Sequence, residues 1–193
     1  MENAREFLEF LNPAKCALVI WDVQNMLVDN IFNKDEFLSN VRSLISSARA
    51  NEVPVFFTKI TPLPGRFESP ARRVLGKLRP RNLSLTPDGL RLTVEPQDGD
   101  IILNKNTASI FVGTNFELAM RNAALSTIIF SGISTEMGVE SSARDAINRG
   151  FFPVIIRDAV SSLNKEAHER SLQNLANMML LLTAGEVKTF WKN

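Results

Sequence analysis

The feature that most constrains this fold is a set of short hydrophobic runs in which apolar residues are continuous instead of alternating with polar ones. Continuous runs are typical of strands buried on both faces, as in a parallel sheet. Between the runs, apolar residues recur at helical spacing, as Phe37, Val41 and Leu44 do. This alternation predicts an α/β fold with three layers, in which helices cover both faces of a doubly wound, mostly parallel six-stranded sheet. The predicted strands are residues 16–21, 53–58, 100–104, 126–132 and 151–158, with a sixth at 185–190.

The helix boundaries rest on local signals. Thr114 and Glu117 have the spacing of a capping box, which predicts that a helix begins there. A last long helix is predicted from a series of apolar residues at helical spacing: Ala167, Leu172, Leu175, Met178 and Met179.

The length of the chain and the distribution of its prolines and glycines predict one domain with a long excursion. A chain of 193 residues with 45% hydrophobic residues is long enough for one core, so we expect a single domain over 1–193. Residues 60–99 hold six of the nine prolines and four of the nine glycines, too many for a simple crossover helix. The excursion also carries basic residues that would suit either a lid or subunit contact around an anion, or a solvated or interface loop: Arg66, Arg72, Arg73, Lys77, Arg79, Arg81 and Arg91.

Charge and cysteine content exclude several classes of partner. The 22 basic and 21 acidic residues give a net charge of +1, which provides no overall field for nucleic acid or an anionic membrane. No G-x-G-x-x-G follows the first strand, which disfavours a dinucleotide-binding module. The single cysteine, Cys16, cannot form an internal disulfide, and the N-terminal residues lack a basic region followed by an apolar one. No apolar run approaches the ~20 residues of a membrane span. We therefore expect a cytoplasmic protein.

Polar residues at strand ends are the first candidates for function, because open parallel sheets bind ligands beyond the carboxyl ends of their strands. Asp22 ends the first run and Lys105 the third, while the fourth leads into a segment containing Gly138. Taken alone, Asp22 would also suit a helix cap or a structural salt bridge, and Lys105 a partly exposed strand end. Glycine costs roughly 1 kcal/mol relative to alanine inside a helix, so Gly138 predicts a close approach or a missing side chain.

Three ordered blocks carry a family resemblance. They are "ALVIWDVQN", "DGDIILNKNTASIFVGTNFE" and "STIIFSGISTEMGVESSARDAINRGFFPVIIRDAVSS". In this order and spacing, the chain resembles the isochorismatase-like hydrolases, also called the cysteine hydrolase family, over nearly its whole length. The resemblance implies a Rossmann-like fold and a pocket in which Asp22, Lys105 and residue 138 converge.

The resemblance also assigns further residues. Amidase members have a cysteine nucleophile where this chain has Gly138, and Cys16 starts the first strand at the wrong end to replace it. Family members tend to have a cis peptide that would fall between residues 133 and 134. Residues expected to line the ligand site are Gln24, Ile133, Ser134, Met137 and Gly138, with Ser141 and Ser142 nearby as structural serines.

No metal and no cofactor are expected. The nicotinamidase branch of the family binds a metal through histidines after the second strand, where this chain has Lys59. His168, the only histidine, falls in the last long helix and suggests a capping or surface role.

Without a nucleophile, the chemistry that the resemblance favours is acid-catalysed hydrolysis of an enol ether such as isochorismate. True isochorismatases, several with glycine at this position, provide the precedent. Asp22 would donate the proton, Gly138 would leave room, and Lys105 with Arg66 or Arg72 would hold carboxylates. Lys105 should lower the pKa of Asp22, so burial must outweigh it.

Two alternatives remain open at this stage. They are a non-catalytic small-molecule binder of the same fold, and another nucleophile-independent reaction on a carboxylated substrate. Family habit and the basic excursion also predict a homo-oligomer.

Overall fold

The computed structural model describes residues 9–78 and 83–192, so Arg79 and Arg81 of the excursion lie outside the described residues. The strands are β1 (Cys16–Trp21), β2 (Val55–Ile60), β3 (Ile101–Lys105), β4 (Thr127–Ile133), β5 (Phe152–Ser161) and β6 (Leu180–Leu182). The helices are α1 (Asn25–Val28), α2 (Lys34–Ala50), α3 (Pro70–Leu78), α4 (Phe116–Asn122), α5 (Glu140–Asn148), α6 (Lys165–Ala176) and α7 (Ala184–Trp191).

The six strands form one sheet in the order β3-β2-β1-β4-β5-β6, and all neighbouring pairs are parallel. The chain therefore winds outward from β1 in one direction and from β4 in the other, which confirms the predicted doubly wound sheet. Every side chain of β1 and β4 is buried, as their continuous apolar runs predicted. The chain leaves β1 toward α2 and β4 toward α5, whose residues belong to the cores on opposite faces of the sheet, and ligand sites of open parallel sheets lie at such a switch point.

Two hydrophobic cores lie on the two faces of the sheet. Alternate residues of β1 belong to each, since successive side chains of a strand point to opposite faces. Leu18 and Ile20 pack with residues of α2 and α7, whereas Val19 and Trp21 pack with residues of α4, α5 and α6. This division gives the three predicted layers.

The sequence prediction was wrong at the C-terminal end. The helix α6 stops at Ala176, before Met178 and Met179, and the sixth strand is Leu180–Leu182 instead of residues 185–190. Residues 185–190 belong to α7, which begins with a true capping box between Thr183 and Glu186. That pair satisfies the first amides of the helix, and Val187 and Trp191 on its inner face enter the core.

Two further predictions need correction. The Thr114–Glu117 capping box does not form, because α4 starts at Phe116 with Asn115 as its N-cap, and the Thr114 hydroxyl instead accepts from the Phe116 amide at 3.1 Å.

The strand β3 is not covered on both faces: it lies at the edge of the sheet, and Ile101 and Ile102 are 38% and 50% exposed.

The excursion between β2 and β3 has two dissimilar parts. Its first part contains a 3-10 turn, Gly65–Phe67, and the helix α3, which has no buried residue. Its later part is attached to the start of α1, where the Asn25 and Met26 amides donate to the carbonyls of Arg91 and Gly89. No helix in the described ranges is both long and apolar enough to cross a membrane.

Candidate active site

Three segments meet at the carboxyl ends of the strands, where the winding direction of the sheet changes. Asp22 directly follows β1, and Lys105 is the last residue of β3. A single turn of π-helix, Thr135–Val139, follows β4 and leads into α5. The candidate site therefore lies where the topology of an open parallel sheet places ligand sites.

Asp22 and Lys105 form a buried ion pair, which confirms that the two side chains are brought together. The Lys105 ammonium donates to Asp22 Oδ2 at 2.6 Å, and the two side chains are only 4% and 3% exposed. Lys105 reaches Asp22 across β2, which separates β3 from β1. Lys105 donates a second hydrogen bond, to the carbonyl of Thr107 at 3.3 Å.

Burial disfavours the charged form of both partners and so shifts their pKa values in opposite directions. Removal from water raises the pKa of Asp22 above its usual range, although Lys105, Thr58 and the charge of Arg72 act to lower it. Burial likewise lowers the pKa of Lys105, opposed by Asp22 and assisted by the positive charge of Arg72. Burial therefore acts to raise the pKa of Asp22, and Lys105 acts to lower it, while the two carboxylate oxygens accept hydrogen bonds from Thr58 and Lys105.

Thr58 is a site residue that sequence reasoning missed. Its hydroxyl donates to Asp22 Oδ1 at 2.6 Å and accepts from the Asp22 amide at 3.0 Å. This double contact holds Asp22 in a left-handed backbone conformation with φ of 47°. The available signal was position, because Thr58 lies on β2, the strand between those that carry Asp22 and Lys105.

Gly138 does not leave free space above the turn. A Cβ built on Gly138 would overlap the indole of Trp21, meeting its Nε1, Cε2 and Cζ2 atoms, the last at 2.5 Å. The indole itself is 1% exposed, and Lys105 Nζ lies 4.0 Å from its ring centroid. The expectation that Gly138 makes room for substrate is therefore wrong in this structure: the glycine accommodates Trp21.

The turn after β4 has the geometry that the resemblance implied. The peptide between Ile133 and Ser134 is cis, and both residues are buried. Met137 is 40% exposed at the surface of the turn. Ser142 has the structural role expected of it, since its hydroxyl donates to the Gly138 carbonyl at 2.7 Å and accepts from the Ile110 amide at 3.1 Å.

Gln24 is fully buried and bonded within the protein. Its side-chain oxygen accepts from the Ile60 amide at 2.8 Å, and its NH₂ donates to the carbonyls of Leu90 at 2.8 Å and Ile60 at 3.4 Å. Both amide hydrogens are thus used, and the side chain joins the end of β1 to the end of β2 and to the excursion. These contacts bond the polar atoms of Gln24 within the protein, and its contact with a ligand stays a prediction.

The two arginines expected at the site differ in their surroundings. Arg72 of α3 is close enough for its charge to affect both Asp22 and Lys105, and it also pairs with Glu68 at 3.6 Å. Arg66 is exposed and stacks on the ring of Phe67, 4.5 Å from its centroid. Of the two, only Arg72 has a charge that affects the ion pair, and its own direct ionic contact is with Glu68.

His168 is neither a cap nor a surface residue, in contrast to the expectation. It is 7% exposed, and its Nδ1 lies 2.8 Å from the hydroxyl of Thr135. That hydroxyl donates to the carbonyl of Ser161 at 3.0 Å, so its oxygen accepts from His168. Among the residues that the structure describes, no three histidine, cysteine, aspartate or glutamate side chains are grouped as metal ligands.

A doubly wound parallel sheet with a buried aspartate–lysine pair at its switch point is the arrangement in which open α/β folds bind small ligands. The profile of the isochorismatase domain matches residues 16–186, and the chain belongs to the isochorismatase family of hydrolases.

Individual relatives agree with this family. The chain is 33% identical to the uncharacterized isochorismatase family protein YecD of Escherichia coli O157:H7, over 86% of this chain and 89% of that protein. It is 30% identical to the uncharacterized family protein YwoC of Bacillus subtilis, over 82% and 84%. Its fold is similar to that of a cysteine hydrolase from Pseudomonas syringae pv. phaseolicola, with a TM-score of 0.85, 20% identity and coverage of 94% of each chain.

Proposed function

We propose that this protein hydrolyses a carboxylated enol ether, such as isochorismate, by acid catalysis from Asp22 and without a cofactor or a covalent intermediate. The observation that carries the proposal is the buried Asp22 carboxyl, whose pKa burial raises even though Lys105 lies 2.6 Å away. A general acid must hold its proton near the working pH, and desolvation is the physical means by which a carboxyl does so.

The reaction requires one proton donor and one water molecule. Asp22 gives its proton to the terminal carbon of the vinyl group, which leaves an oxocarbenium ion. Water adds to this cation and returns a proton to the Asp22 carboxylate, and the resulting hemiketal breaks its C–O bond to give pyruvate and an alcohol. Lys105 stabilises the Asp22 carboxylate during the step in which it is charged.

The substrate class follows from the remaining charge. When Asp22 is protonated, the Lys105 ammonium is left without a carboxylate partner, which favours a substrate that carries a carboxylate. Some relatives are named ureidoacrylate amidohydrolase and nicotinamidase. The only cysteine of this chain, Cys16, is buried at the start of β1, so we do not extend thiol-dependent amide hydrolysis to this chain.

The first test compares Asp22→Asn with the wild type in pyruvate release from isochorismate. The amide has the shape of the carboxyl but no acidic proton, so activity should fall by roughly 10²- to 10⁴-fold. Asp29→Asn is the matched control, because Asp29 is an exposed aspartate paired with Lys34 and should tolerate the change. A wild type that releases no pyruvate from any enol ether tested, or an Asp22→Asn enzyme with full activity, would contradict the proposal.

A second candidate is a non-catalytic small-molecule binder of the same fold, which would need no proton transfer from Asp22. The indole fills the space above Gly138 beside the ion pair. Calorimetric binding of isochorismate without turnover by the wild type would support this alternative over catalysis.

A further inference from the structure

Trp21 has two contacts that its role as a core residue does not require. Its ring face lies under the Lys105 ammonium, 4.0 Å from Nζ to the ring centroid. Its Nε1 edge lies over Gly138, at a distance too short for any side chain at position 138. Both contacts lie beside Asp22, the next residue in the chain.

Two glycines on the neighbouring segment accommodate this tryptophan. Gly132 is paired with Trp21 in the sheet, has φ of 119°, and a Cβ there would lie 2.5 Å from the Trp21 amide nitrogen. Gly138, on the turn after β4, accommodates the ring. Gly132 thus meets the backbone of Trp21 while Gly138 meets its side chain, and both lack the Cβ that would prevent the approach.

We propose that Trp21 is a positioning residue of the site, which occupies the space of a side chain at position 138 and holds the Lys105 ammonium against Asp22. A ring face attracts a cation most strongly where water is excluded, as it is around Lys105. The packing part of the proposal rests on distances alone; only the use of Lys105 as the partner of an acid rests on the proposed function.

As a consequence, a nucleophilic side chain cannot be placed at position 138 while Trp21 stays where it is. A thiol introduced there would require the indole to leave, and its departure would remove the aromatic support of Lys105. Gly138 and Trp21 therefore form a matched pair, in which either residue is tolerated because of the other.

A double-mutant cycle tests the packing. Gly138→Ala should raise the unfolding equilibrium constant by about 10- to 100-fold, since overpacking a closed core forces shifts. In a Trp21→Val background the same change should cost only a few-fold, because the ring that it meets is gone. Gly185→Ala in α7 is the control: its added Cβ meets only Thr183 Oγ1, at 3.9 Å, so it should not destabilise the protein. Equal costs of Gly138→Ala in the two backgrounds would overturn the proposal.

Thiol labelling is a second test of the packing between Trp21 and Gly138. Trp21→Val/Gly138→Cys should react with iodoacetamide at neutral pH, whereas Cys16 contributes no background because burial raises the pKa of its thiol to about 12. A double variant that stays as unreactive as the wild type would show that position 138 is closed by something other than Trp21.

The support of Lys105 is tested by titration. Trp21→Phe keeps an aromatic face and should leave the Lys105 ammonium, followed by ¹³C NMR of labelled lysine, close to its wild-type titration. Trp21→Leu should move that titration to lower pH, because the charged form loses its ring. An unchanged titration in Trp21→Leu would overturn the positioning role. None of these measurements uses turnover, so absence of pyruvate release would overturn the proposed function while leaving the Trp21 assignment to be judged separately.

Discussion

At the scale of single residues, burial and charge act in opposite directions on the pKa values of Asp22 and Lys105. Asp22 and Lys105 are in direct contact, yet desolvation is the largest influence on the pKa of each. The Thr58 hydroxyl donates a hydrogen bond to the Asp22 carboxylate and accepts one from the Asp22 backbone amide. Such a pair persists in a core only because its hydrogen-bonding capacity is largely satisfied.

His168 provides a residue-scale prediction on pH. Burial lowers its pKa, opposed by Glu136 and Glu169, so the folded protein binds fewer protons than the unfolded chain just below the unfolded pKa of about 6.5. The stability that the neutral ring contributes is therefore present above about pH 6.5 and is lost as pH falls through that value toward the folded pKa.

His168→Asn should flatten this part of the stability profile, because the amide offers an N–H to Thr135 but does not titrate. Urea unfolding at several pH values between 5 and 8 measures the slope in both proteins. His168 is the only histidine, so no other imidazole contributes. Parallel slopes for wild type and variant between pH 5 and 7 would contradict the prediction.

At the scale of elements, terminal capping decided structure where hydrophobic spacing was ambiguous. Residues 185–190 contain apolar and polar residues that suit a strand or a helix, and the Thr183–Glu186 capping box selects the helix. The Glu186 amide donates to the Thr183 hydroxyl at 3.1 Å, and the Thr183 amide donates to the Glu186 carboxylate at 2.7 Å.

Thr183→Ala should therefore destabilise the protein by roughly 0.5–2 kcal/mol, the usual cost of losing such a cap. Thr183→Ser keeps the hydroxyl and should recover most of that loss. Denaturant unfolding measures both variants, and a Thr183→Ala protein as stable as Thr183→Ser would show that the cap contributes nothing.

At the scale of the whole molecule, the winding of the sheet brings the site residues together, and the excursion presents an exposed apolar helix. The helix α3 has no buried residue, and its Val74, Leu75 and Leu78 are more than half exposed, at 57%, 54% and 71%. Exposed apolar patches on stable proteins are typical of contacts between proteins. The homo-oligomer predicted from the sequence stays a prediction, and this helix is its candidate contact.

Light scattering at micromolar concentration should give more than the mass of one chain. Val74→Glu/Leu78→Glu should shift the protein toward the monomer, because charges on an apolar contact lose hydration without partners. Leu118→Glu, at a 61% exposed leucine of α4, serves as the control and should not. A wild type with the mass of a single chain of 21.6 kDa would rule the prediction out.

The sequence by itself determined the elements that local pattern specifies. The β1 run of residues 16–21 coincides with the strand, and the order of the apolar runs led to a doubly wound sheet. Strand position singled out Asp22 and Lys105 as candidates, and the family resemblance implied that they converge, although 83 residues of chain separate them. The cis peptide at Ile133–Ser134 followed from the family resemblance.

Only the tertiary structure decided what surrounds those residues. Thr58 is bonded to Asp22 across 36 positions, His168 to Thr135 across 33, and Trp21 lies on Gly138, and no spacing rule relates the members of these pairs. Sequence periodicity reports which face of an element is buried, whereas the partner on that face depends on how separate elements pack. The close approach at Gly138 was therefore readable only from the folded chain, because the indole that a side chain there would meet belongs to β1, whereas Gly138 lies in the turn after β4.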